Sequence, residues 1–159
     1  MYDETDVITL SNLEWVATVT ATQRNPVWAM IRERYPEIRG HIDSLPRTLT
    51  YNDFYWTNLV VARDRSEAMM LDLHLLGKGI AYADVRNATS SLGDTAAGVF
   101  RDEYGAYSAD EEMADAVLAP LSTLVAACER DDLPMWARSS LDELVSGRIY
   151  TSLGRWLDA

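Results

Sequence analysis

The sequence predicts a mostly helical protein carrying one small β-hairpin. Three observations lead there. In the second half, Val117, Leu118, Leu121, Leu124 and Val125 recur at helical spacing. Two short apolar runs, residues 59–62 and 67–71, flank the polar turn Arg63-Asp64-Arg65-Ser66, a hairpin pattern. Proline and glycine divide the rest into helix-length pieces.

Taken in order, Ser11 and Glu14 make a capping-box pattern that opens a short helix reaching residue 22. Asn25-Pro26 reads as the N-cap and first residue of a second helix, with Val27, Trp28, Met30, Ile31 and Tyr35 apolar on it. Pro36 is expected to end that helix and start another to residue 45, and Pro46 then breaks the pattern. Thr48–Thr50 is expected to be extended, followed by the hairpin. After Gly79 only helices are expected, at residues 83–91, 94–104, 109–129, 134–146 and 148–157. Pro120 interrupts the longest apolar stripe, while Gly105 and Gly147 read as helix stops. Trp136, Leu141, Leu144 and Val145 are expected to face the core. Without repeats or a low-complexity linker, the 159 residues read as one domain: leading helices at 1–47, a loop-and-hairpin segment at 48–79 and a helical segment at 80–159.

Composition narrows the function. A hydrophobic content of 48% with five tryptophans indicates a folded chain. The single cysteine, Cys128, excludes an internal disulfide and reads as a buried structural thiol. The acidic start, Met1 to Asp6, lacks a basic region and an apolar stretch, so no signal peptide is expected. No apolar run approaches the ~18 residues of a membrane span, and a soluble cytoplasmic protein is expected. A net charge of −11 argues against nucleic acid and anionic membranes as partners. Residues 94–132 hold ten acids against two arginines, which reads as a solvated helical face or as a wall that attracts a cationic ligand.

The segment Tyr51-Asn52-Asp53-Phe54-Tyr55-Trp56-Thr57-Asn58 carries the chemistry. Opposed hairpin residues sum to 129 if Asp64-Arg65 is the turn centre, so Asn58 faces Leu71, next to Asp72. Asp53, Asn58 and Asp72 therefore gather at the open end of the hairpin. Two of them can supply the protein oxygens of a Mg2+ site, and Asp53 can accept a hydrogen bond from an attacking hydroxyl. Asp72 lies among Met69, Met70, Leu71, Leu73, Leu75 and Leu76, where a carboxylate needs pairing or a metal if it is buried.

Residues 51–92 closely resemble the aminoglycoside phosphotransferase family of the protein-kinase-like fold. The family's catalytic loop, His-x-Asp-x-x-x-x-Asn, matches Tyr51-Asn52-Asp53 through Asn58, with Tyr51 in place of the histidine. Its metal segment matches Met70-Leu71-Asp72, and a further helix-start Asp matches Asp84. The resemblance implies that Asp53 is the catalytic base and that Asn58 and Asp72 are Mg2+ ligands. It further implies that Tyr51 and Asp84 support the catalytic loop and that the cofactors are Mg2+ with ATP or GTP. It implies transfer of a γ-phosphoryl group to the hydroxyl of a small molecule, for which the acidic helices suit a cationic aminoglycoside. His74 is expected to be a loop residue near the metal.

A complete site of this type also needs a β-rich lobe with a strand lysine on the nucleotide. The only lysine is Lys78, after both aspartates, and residues 1–50 show no strand-rich pattern. The expectation is thus a helical C-terminal lobe with its N-lobe absent, as in an isolated domain, a truncated gene product or a natural half-protein. Alone, such a chain would be inactive and would self-associate through the apolar surface left bare. The alternative is a non-catalytic ligand- or partner-binding module derived from the same fold.

Overall fold

The computed structural model describes residues 2–159. It is mostly helical. In chain order the elements are β1 (Tyr2–Asp3), α1 (Leu10–Val19), α2 (Pro26–Ser44), β2 (Thr48–Thr50), β3 (Leu59–Val61), β4 (Ala68–Met70), β5 (Gly77–Gly79), α3 (Ala81–Ser91), α4 (Asp94–Tyr104), α5 (Ala109–Cys128), α6 (Arg138–Val145) and α7 (Arg148–Leu157). No helix among the described residues is long and apolar enough to cross a membrane. The chain groups into two compact units. One joins the residues up to Glu4 with Pro46–Glu111, and the other joins Thr5–Leu45 with Glu112–Ala159.

The second of these units is all helical. Helix α1 is capped by Thr9, whose hydroxyl accepts from Asn12 N at 3.2 Å, so Ser11 lies inside the helix rather than at its cap. It stops at Val19 because the chain turns through Ala21, at φ 54°. Ala21 N then reaches the Thr18 carbonyl and Thr22 N the Ala17 carbonyl, a Schellman closure built on an alanine. Helix α2 starts as expected, with Asn25 Oδ1 accepting from Val27 N. It does not end at Pro36 but runs through it to Ser44. The proline forfeits one helical hydrogen bond, and the burial of Val27, Ile31, Ile38 and Ile42 along one stripe offsets that loss.

Helix α5 likewise runs through Pro120, burying Val117, Leu118, Leu121, Leu124 and Val125 as expected. Cys128 is buried, and burial pushes its thiol pKa up. In α6 only part of the expected face is core. Leu144 is fully buried, while Val145 is 64% exposed and Trp136, in the short turn ahead of the helix, is 54% exposed. Gly147, at φ 80°, supplies the left-handed turn into α7, which buries Ile149, Leu153, Trp156 and Leu157.

The unit containing the loop at 51–58 has two small sheets. The expected hairpin pairs Leu59 with Met70, Val60 with Met69 and Val61 with Ala68, each pair summing to 129. Its turn closes with Arg65 N donating to the Ala62 carbonyl, and Asp64 Oδ1 accepts from Ser66 N. The second sheet, in the order β1-β5-β2, was not expected from the sequence. Its central strand is Gly-Lys-Gly, which carries no apolar alternation. Glycine fits closely at position 79: a Cβ there would lie 2.5 Å from Thr50 Oγ1 and 2.7 Å from Glu4 Oε1 and would force those side chains to shift. Helices α3 and α4 pack on each other, and α3 packs on β2, so the loop after β2 begins against α3.

Candidate functional site

The loop leaves β2 at Thr50 and turns at once. Asn52 adopts φ 60°, a left-handed conformation that asparagine tolerates better than most residues. Asp84, buried in the first turn of α3, holds this turn. Its Oδ2 accepts from Tyr51 N at 2.9 Å and its Oδ1 from Asn52 N at 2.8 Å. The Tyr104 hydroxyl, at the end of α4, donates to the same Oδ2 at 2.8 Å. Burial first, and then the bond to the Asp84 carboxylate, push the Tyr104 pKa well above the usual phenol range. Asn87, one turn beyond Asp84, donates to the Asn52 carbonyl at 3.1 Å, and Asn52 Nδ2 donates to the Leu75 carbonyl at 3.1 Å. Two side chains, Asp84 and Asn87, thus hold three consecutive peptide units, and Tyr104 braces Asp84 in turn.

Beyond the turn, Asp53 and Asn58 meet directly. Asn58 Nδ2 donates to Asp53 Oδ2 at 2.6 Å and to the Asp53 carbonyl at 3.1 Å. Both contacts use the nitrogen, so the amide oxygen of Asn58 keeps its lone pairs for another partner. The helical turn Trp56–Asn58 and the bond from Tyr55 N to the Asp53 carbonyl bring the two residues together.

Asp72 enters through the hairpin. Leu71 N donates to the Asn58 carbonyl at 2.8 Å, which extends the ladder by one pair and sets Asp72 just past it. The Tyr51 hydroxyl donates to the Leu71 carbonyl. Burial raises the Tyr51 pKa, the Asp53 and Asp72 carboxylates add to the rise, and the Asn58 amide opposes it. Both carboxylates therefore act on one hydroxyl. No hydrogen bond among the described residues links Asp72 to Asp53 or Asn58. Instead Asp72, at φ 58°, pairs with His74 Nδ1. The burial expected for Asp72 is not found. Its side chain is 58% exposed, because Leu71 and Leu73 beside it also face outward.

Comparisons with protein families, with curated proteins and with solved structures find no match.

The residues around the loop divide by how they could hold a ligand. No cluster of three or more His, Cys, Asp or Glu side chains among the described residues is arranged to hold a metal ion. The oxygens on offer are the Asn58 amide and the Asp72 carboxylate. So small a set does not hold a metal alone, but it suits Mg2+ that arrives on phosphates and keeps several waters. The acidic segment 94–132 is not one solvated face. Glu111 and Asp115 are buried, and Glu111 closes a reciprocal capping box with Ser108 at 3.1 Å in each direction. The Ser108–Glu111 spacing could have revealed that cap. Asn52, Asn87 and Tyr104 carried no comparable signal.

Proposed function

We propose that the loop at residues 51–58 and the hairpin behind it form the hydroxyl-activating and metal-holding half of a phosphotransferase site. The lobe would be of protein-kinase-like fold, resembling aminoglycoside kinases. The observation that carries this reading is the 2.6 Å bond between Asp53 and Asn58, on a loop whose turn is fixed by Asp84 through two backbone N–H groups. Rigid support beneath a carboxylate is what a positioned base requires.

In this reading Asp53 accepts the proton of a substrate hydroxyl as the hydroxyl oxygen bonds to the γ-phosphorus. The bond from that phosphorus to the bridging oxygen breaks, and the nucleoside diphosphate leaves. Asn58 and Asp72 are the residues that would hold Mg2+, which when bound would neutralise charge on the phosphates of ATP or GTP. Asp84 and Tyr51 do not touch substrate; they position the loop.

One observation favours the second reading, a non-catalytic ligand- or partner-binding module of the same fold. The contact with His74 occupies one of the two Asp72 oxygens that a metal would use.

Isothermal titration of the native chain and of Asp72→Ala with MgATP, MgGTP and an aminoglycoside separates the two. The proposal expects Mg2+-dependent nucleotide heat in the native chain and at least roughly tenfold weaker binding in the variant. Aminoglycoside heat without nucleotide heat supports the binding module. Heat from neither ligand contradicts both.

A further inference from the structure

A second feature of the loop-bearing unit is a cleft of about 640 Å³ between the hairpin and α4. That volume is within the range of small-molecule sites. Phe54 and Phe100 line it, their ring centroids 4.8 Å apart at an interplanar angle of 69°. Their stack continues to Tyr51 on one side and Tyr104 on the other, at 5.4 and 5.0 Å, so the aromatic wall is anchored in the packed interior. Met69 and Met70 of β4 and Val99 of α4 also line the cleft, and all three are exposed. Thioether side chains adapt to varied apolar shapes. The one charged lining residue is Glu103, which makes no ion pair or hydrogen bond among the described residues.

We propose that this cleft binds a cationic amphiphile: a small molecule with an aromatic or branched apolar body and one protonated amine. The body lies against Phe54 and Phe100 beside the two methionines, and the amine pairs with Glu103. Charge complementarity selects the cation. The lining holds one carboxylate and no basic residue, the aromatic faces present negative quadrupole density, and a net charge of −11 enriches cations around the protein. A neutral hydrocarbon would use the walls but leave the carboxylate unused, and an anion would be repelled by it. This proposal does not rest on the phosphoryl-transfer reading, and its test contains neither nucleotide nor metal.

The test is a titration of the full chain with naphthylmethylamine, naphthylmethanol and naphthoate, which share a body and differ in charge. The amine is expected to bind about three- to fivefold more tightly than the alcohol, the scale of one solvent-exposed ion pair, and the acid more weakly than either. Glu103→Gln, on an exposed helix face, is expected to erase the preference for the amine while leaving the alcohol unchanged. Ala96→Trp, which fills the cleft from α4, is expected to abolish binding of both. Equal binding of the three probes, no binding by any, or an amine preference that survives Glu103→Gln would overturn the proposal. So would a dimer in sedimentation velocity that Ala96→Trp dissolves, since the cleft would then belong to a second copy.

Discussion

Asp84 is the residue on which the geometry of the loop converges. A buried carboxylate that accepts two backbone N–H groups and one phenol leaves three donors unpartnered when it is removed. Asp84→Ala should therefore destabilise the loop-bearing unit by about 3–5 kcal/mol, read from urea unfolding. Tyr104→Phe removes one of the three bonds and should cost about 1–2 kcal/mol by the same measurement. The tyrosines also set a pH limit. Tyr51 and Tyr104 both have folded-state pKa values raised above the ordinary 10.0. The unfolded chain therefore releases those protons first. Their contribution to stability is complete below pH 10 and declines as pH rises past it. The urea midpoint should fall between pH 10 and 11, and Tyr104→Phe should shallow that decline by one proton. A midpoint that stays level across this interval would contradict the assignment. Of the loop's contacts, the meeting of Asp53 with Asn58 was legible, because only four residues of loop lie between them. Tyr104 and Asn87 were not, since α4 and α3 deliver them by packing and nothing local marks them.

Among the elements, the hairpin was legible to the register. Two continuous apolar runs flank a four-residue polar turn, and taking Asp64-Arg65 as its centre fixes which residues oppose. The short sheet β1-β5-β2 was not legible, because its strands are two or three residues long and its centre is Gly-Lys-Gly. Of the helices after Gly79, four were recovered within about two residues at their ends, the usual boundary uncertainty of helix assignment, while the one expected at 134–146 starts four residues later, at Arg138, because a separate short turn at Met135–Ala137 precedes it. The start of α1 was misread because Ser11-Glu14 satisfies the capping pattern while Thr9 makes the actual bond. Its end depends on an alanine in a conformation that glycine adopts without strain. Ala21→Gly should thus raise stability by about 1 kcal/mol in urea unfolding, whereas a loss would show that the closure at Ala21 is not left-handed in solution. Pro36 and Pro120 show tertiary burial overriding local propensity. Each sits in a helix whose apolar stripe continues on both sides of it.

At the scale of the whole molecule, two aspects of the proposed chemistry diverge. In the proposed reading the loop and the hairpin end would offer a base and two metal oxygens, whereas residues 2–50 form mainly helices α1 and α2 and supply no lysine. The 159 residues alone are therefore expected to turn over ATP or GTP at a rate no higher than Asp53→Asn does, in a coupled assay for nucleoside diphosphate. Robust turnover that Asp53→Asn abolishes would show that these residues suffice. The central claim is that Asn58 and Asp72 face the metal of a bound nucleotide. Paramagnetic broadening tests it most directly, with Mn2+ and a non-hydrolysable ATP analogue added to isotopically labelled protein. The account predicts that the Asn58 side-chain amide and the Asp72 backbone amide broaden first, and that the effect requires the nucleotide. Broadening confined to the acidic stretch at 94–132, or equal broadening with Mn2+ alone, would contradict it.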